Sequence, residues 1–135
     1  MEELPLGSLY ATLLVLILLF YLVLGCLMDS LSMILLTVPI FFPVISVMDF
    51  GMSAEHVAIW FGILVLIVVE VGLITPPVGI NVYVVFGVAK AVLEEEIPLE
   101  TIFKGIFPFV MAVVVGIVIL VFCPWIILFL PHLMY

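Results

Sequence analysis

Four long uncharged runs fix what this chain can be. Residues 4–28, 30–48 and 71–89 carry no Asp, Glu, Lys or Arg, and neither does the whole stretch 105–135. A helix needs about 20 mostly apolar residues to cross the hydrocarbon core of a bilayer, so these runs read as membrane segments. Composition agrees: hydrophobic residues are 69% of the 135 and charged ones 9%. A soluble domain is roughly half apolar and a quarter charged. One of this size still exposes about a third of its unfolded surface, which leaves this much apolar area no place in water.

The remaining charge excludes several classes of function. The net charge is −8, with three acids consecutive at Glu94, Glu95 and Glu96, and only Lys90 and Lys104 as strong bases. Nucleic-acid binding needs a basic face, and this chain offers none. Cys26 and Cys123 sit in apolar runs and read as packing residues, not as a disulfide framework or metal cluster. His56 has no second His or Cys nearby and reads as an interfacial residue. No Ser–His–acid set, metal-spaced His/Cys group or phosphate-cradling glycine loop is legible, so the sequence speaks against an enzyme and implies no bound cofactor. The opening Met-Glu-Glu-Leu-Pro lacks the positive stretch that begins a signal peptide.

The pattern along the chain predicts one all-α membrane domain. Residues 4–24 read as a first transmembrane helix, with Pro5 in its first turn and Tyr10, Phe20 and Tyr21 near the interfaces. Residues 25–49 are apolar but interrupted by Asp29, Ser30, Ser32, Thr37, Pro39 and Pro43. Proline lacks a backbone donor and crowds the preceding turn. That segment therefore reads as a re-entrant hairpin, two half-helices meeting near Thr37–Pro39, with a single kinked helix as the alternative. Residues 55–93 read as a discontinuous helix after an N-cap at Ser53. Its first half, Val57–Val71, looks too short to cross alone, and Gly72, Thr75, Pro76, Pro77 and Gly79 break it before Ile80. Residues 94–104 form a polar loop, and 105–131 a last transmembrane helix bent or frayed by Pro108 and Pro124. Lys90 and Lys104 place that loop in the cytoplasm by the positive-inside rule. Counting back then puts the 49–55 loop outside, the N-terminus inside and the C-terminus outside.

The break at Gly72–Gly79 is where chemistry has most reason to sit. Unwinding a helix at membrane depth strands carbonyls and amides, each costing several kcal/mol on the order of magnitude if unsatisfied. A bound cation answers the carbonyls, and the N-terminus of the next half-helix can face an anion. Thr75 and Asn81 add neutral oxygens of the kind a hard cation such as Na⁺ favours, and broken helices of this sort mark ion and substrate sites in transporters. A structural kink satisfied by neighbouring helices is the plain alternative. Thr37 and the carbonyls freed by Pro39 and Pro43 form a second candidate, with Ser30 and Ser32 simply bonding back along the helix as the plain alternative. Asp29 and Glu70 fall near helix ends and read as interfacial or supporting residues before ion ligands.

Three stretches resemble the large permease subunit of TRAP (tripartite ATP-independent periplasmic) transporters. Gly25-x-x-x-Asp29 followed by Pro39 and Pro43 is similar to the second hairpin of that subunit. Glu70-Val-Gly-Leu-Ile-Thr-Pro-Pro-Val-Gly-Ile-Asn81 resembles its broken helix. Phe103-Lys-Gly-Ile-Phe-Pro-Phe and the later Cys-Pro-Trp-Ile-Ile-Leu-Phe-Leu-Pro resemble its last helix. The resemblance implies one repeat of an inverted-repeat elevator transporter: a Na⁺-coupled importer of organic acids in a bacterial or archaeal inner membrane. It implies a periplasmic solute-binding protein and a small membrane subunit as partners. On this sequence Thr37 and Pro39 would fall at the hairpin tip. Gly72, Thr75, Pro76, Gly79 and Asn81 would surround the broken helix, with Gly72, Thr75 and Asn81 as Na⁺ ligands.

The departure is length. A family large subunit is far longer, and only its second repeat is represented here. The N-terminal remainder of that subunit is thus an implied partner, and there is no Arg to meet a substrate carboxylate. The chain alone is not expected to transport. A fragment of another anion permease of the same superfamily, or a small structural membrane protein, are the other readings.

Overall fold

In the computed structural model, residues 6–76 and 78–134 are described; Leu4, Pro5 and Pro77, used in the sequence reading, lie outside them. The described residues form six helices: α1 (Leu6–Leu27), α2 (Ser30–Ser46), α3 (Ala54–Gly72), α4 (Ile80–Val92), α5 (Leu99–Phe122) and α6 (Pro124–Met134). Three of them, α1, α3 and α5, are long and apolar enough to cross a membrane. This is an integral membrane protein.

The core is the contact of α1, α2 and α3. From α1 come Leu14, Leu18 and Tyr21, and from α2 Met33 and Ile45. The inward face of α3 adds Trp60, Phe61, Leu64, Val65, Val68 and Val69. These sit one helical turn apart, so each helix offers one stripe. On α3 the opposite stripe, Gly62–Leu66–Glu70, is exposed. Lipid tails are as apolar as these side chains, so close packing rather than transfer from water holds such helices together. The tightest packing is glycine on glycine. A Cβ on Gly72 would come within 2.8 Å of Gly25 Cα and backbone carbon and 2.9 Å of the Leu22 carbonyl. The C-terminal ends of α1 and α3 therefore cross backbone to backbone.

Five expectations need correcting. First, no turn interrupts residues 30–46: α2 is one helix with Pro39 and Pro43 inside it. The two prolines are four residues apart and both lie on the exposed face, beside Leu31 and Leu35. Their missing N–H groups and ring crowding fall on the outer side, away from the Met33–Thr37–Ile45 face that packs. Second, α3 begins at Ala54 and has 19 residues, so it can cross without help from α4. Ser53 caps it as expected, its hydroxyl accepting from His56 N–H at 3.3 Å.

Third, the polar loop is only 93–98, because Leu99–Lys104 already belongs to α5, and the last segment is two helices. Pro124 removes the donor for the Leu120 carbonyl, and the indole N–H of Trp60 takes its place at 2.9 Å. A proline break is thus sealed by a side chain from α3. Fourth, Tyr21 is wholly buried between helices, not interfacial. Fifth, the N-terminus and the 49–55 loop do not lie on opposite sides. Because α2 returns as one helix, Tyr10 near the start of α1 meets Phe50, ring centroids 6.2 Å apart. The start of α1, residues 47–53 and α6 share one end of the bundle. The break after α3 and the 93–98 loop lie toward the other.

Candidate functional site

α3 ends at Gly72 and α4 begins at Ile80, and residues 73–76, 78 and 79 form the break between them. α3 is closed by Leu73 N–H donating to Val69 O at 3.3 Å and Thr75 N–H to Gly72 O at 3.2 Å. The chain enters α4 through Gly79, whose φ of 56° lies in the left-handed region that costs an L-residue but not glycine. A Cβ there would also crowd the Thr75 carbonyl at 3.3 Å. One backbone bond spans the connection: Asn81 N–H to Leu73 O, 3.1 Å. It holds the start of α4 against the end of α3.

What the connection leaves open decides its chemistry. Pro76 and Pro77 have no N–H to give. The carbonyls of Ile74 and Thr75 have no donor among the described residues. The Pro76 carbonyl is faced only by the Cys26 thiol at 4.0 Å, a weak donor. The Thr75 hydroxyl gives its proton to Val71 O, so its lone pairs are free to accept. The amides of Val78, Gly79 and Ile80 have no acceptor among the described residues. Oxygen acceptors and N–H donors thus lie a few residues apart on one strand of backbone.

Two cavities flank this segment. One of about 170 Å³ lies against α1, lined by Leu22, Val23, Cys26, Leu27, Thr75 and Pro76. The other, about 330 Å³, lies between the break and α5, where Ile74, Thr75 and Pro76 face Phe103, Lys104 and Phe107. Both are apolar but for the Thr75 hydroxyl, the backbone and Lys104.

The expected site residues separate into two groups. Gly72, Thr75, Pro76, Gly79 and Asn81 are gathered at the break, with Gly72 buried in the α1 crossing and the Asn81 side chain exposed. Thr37 and Pro39 are not with them. Thr37 is 5% exposed in the middle of α2, donating to Met33 O at 2.6 Å, and Pro39 is on that helix's outer face. Asp29 is the N-cap of α2, its carboxylate accepting from Ser32 N–H at 3.0 Å. That backbone bond holds its carboxyl below the usual carboxylate range. Glu70 is exposed on the outer stripe of α3. Sequence reasoning missed Gly25 and Lys104. A lone glycine in an apolar helix is a signal of close helix approach that could have found the first.

Comparison with known proteins now decides the family. The description "Tripartite ATP-independent periplasmic transporter, DctM component" matches residues 1–126. The chain belongs to the DctM family of TRAP large permeases. It is 34% identical over 111 residues to the C4-dicarboxylate TRAP transporter large permease protein DctM of Pseudomonas aeruginosa, covering 82% of this chain and 23% of that one. It is 33% identical over 121 residues to the sialic acid TRAP transporter large permease protein SiaM of Vibrio cholerae, 90% of this chain and 26% of the relative. To the 2,3-diketo-L-gulonate TRAP transporter large permease protein YiaN of Escherichia coli it is 31% identical over 103 residues, 76% of this chain and 21% of that one. The chain thus spans about a quarter of the length of these relatives. No solved structure matches it at a significant level.

Proposed function

We propose that this chain forms the C-terminal part of the large permease subunit of a sodium-coupled TRAP transporter. The transporter would sit in a bacterial or archaeal inner membrane and import an organic acid of the C4-dicarboxylate or sialic-acid type. A periplasmic solute-binding protein would deliver the substrate, a small membrane subunit would brace the permease, and the rest of the large subunit would complete the site. The family assignment supports this reading. The observation that carries it is the break between α3 and α4, where the carbonyls of Ile74 and Thr75 have no donor among the described residues.

Those carbonyls and the Thr75 hydroxyl are what a hard monovalent cation accepts. In a low-dielectric setting they stay costly until something binds them. The amides opening α4 carry the positive end of that helix and favour a carboxylate. Cation and anion sites side by side make each help the other to bind, and coupled uptake needs such mutual dependence. Within this reading the sodium ligands are carried by the break, with Gly72 fixing its position against α1.

The test is uptake by the complete transporter in proteoliposomes. Thr75→Ala and Asn81→Ala should each raise the sodium concentration for half-maximal uptake, on the order of tenfold, the effect of losing about 1.4 kcal/mol of binding. Unchanged sodium curves in both variants would remove the site assignment.

A further inference from the structure

The most buried polar side chain in the bundle has no role in that reading. Tyr21 is 0% exposed, and its hydroxyl is a buried polar atom without a closed hydrogen bond. An unpaired phenol at membrane depth is costly, and buried Tyr hydroxyls usually find a partner. The hydroxyl-bearing side chain on the face of α2 that meets Tyr21 is Thr37, one helical turn before Phe41. Both side chains are buried where α1 and α2 meet. Around them Phe41 lies 5.5 Å from the Tyr21 ring and 5.3 Å from Phe20, so apolar rings screen the pair.

The donors and acceptors are complementary. A threonine hydroxyl has one proton and two lone pairs, and Thr37 has already given its proton to the Met33 carbonyl. Toward Tyr21 it can only accept. Tyrosine has one proton to give, and no other acceptor takes it among the described residues.

We propose that Tyr21 donates to Thr37, making a buried Tyr21–Thr37–Met33 hydroxyl relay that latches α2 to α1 and sets its rotation. Thr37 is then a positioning residue whose hydrogen-bonding capacity is largely used inside the bundle. The prolines of α2 give the latch its purpose. Pro39 and Pro43 leave the second half of the helix without two of its own hydrogen bonds, and one polar tie just before them pins the helix where it is weakest. This inference does not depend on the sodium reading and goes beyond it.

The experiment uses the complete large subunit in membranes, with unfolding equilibrium and sodium-dependent uptake read in parallel. Interhelical hydrogen bonds in membranes shift the unfolding equilibrium by about threefold. Thr37→Val and Tyr21→Phe should each lose about that much, and the double variant no more than either alone. Thr37→Ser should behave as the wild type, and half-saturating sodium should move less than twofold in all four. A Tyr21→Phe protein as stable as the wild type, or losses that add in the double variant, would overturn the relay. So would a Thr37→Val protein whose sodium curve shifts while Tyr21→Phe is silent. Failure of the Thr75 and Asn81 variants to change sodium dependence would leave the relay standing, so the two ideas fail separately.

Discussion

α3 and α5 are both long apolar helices, yet they live in different surroundings. α5 has the higher mean hydropathy, 2.9 against 2.1, but buries none of its window inside the chain while α3 buries 44%. In water that ordering would be reversed, because burial follows hydropathy there. In a bilayer lipid satisfies an apolar surface as well as a neighbouring helix does, so hydropathy says that a helix is in the membrane and little about which helix it touches. The discriminating features on α3 are others: Gly72 for backbone approach, Trp60 with a donor to place, and a continuous stripe from Val57 to Val69. α5 shows Phe109, Val115 and Val118 outward, and it presents the Leu120 carbonyl to Trp60 as a polar anchor.

The contrast breaks most readily at the α1–α3 crossing. Gly72→Val puts a branched side chain where a single Cβ would already lie 2.8 Å from the Gly25 backbone, and backbone cannot yield as a flexible side chain can. We expect loss of about 3 kcal/mol or more, at the upper end of overpacking costs, seen as failure to recover folded protein from membranes. The same change at Gly116 of α5, where nothing lies within 4 Å, should be tolerated. Equal tolerance at both glycines would erase the distinction between the regions.

The tie between them comes next. Trp60→Phe keeps the ring but removes the donor to Leu120 O, stranding a carbonyl at a cost of about 1–3 kcal/mol. Pro124→Ala supplies a new N–H to that carbonyl, so the double variant should recover part of the loss in an unfolding titration. If Trp60→Phe were neutral, the indole bond would be incidental and α5 would be even less attached than described.

The smallest effect is expected at the rim of the core. The Asp29 carboxyl is held below the usual carboxylate range by the Ser32 amide. A depressed native pKa stabilises above the unfolded value and is lost as pH falls through the native one. The start of α2 should therefore fray only in acid, below the ordinary carboxylate pKa. Asp29→Asn should keep the cap and flatten that dependence, while Asp29→Ala should fray at all pH values, as amide exchange at Ser32 and Met33 would report.

Much of this was legible in the sequence. Membrane residence followed from the uncharged runs, the end of α3 from Gly72 and the residues just beyond it, and the cap of α3 from Ser53. All are local signals: a proline or a glycine states its own constraint without reference to the rest of the fold. The α2 hairpin was over-read because proline spacing does not say which face of a helix the rings occupy. At four residues apart on the outer side, Pro39 and Pro43 are tolerated. Pro124 was under-read as a bend, since the donor that seals the break comes from Trp60, 60 positions away along the chain. Tyr21 looked interfacial because nothing in a stretch of leucines and valines marks the face that meets another helix. In an apolar chain the periodic signal that assigns faces is nearly erased, and only packing restores it.

Amide exchange of the complete permease in sodium against potassium tests the central claim most directly. The account predicts slower exchange in sodium at Val78, Gly79, Ile80 and Asn81, with the amides of α1 and α3 around Tyr21 and Leu64 unchanged. Exchange at 78–81 that is identical in the two salts, or slowed equally throughout the bundle, would contradict the break as the ion site.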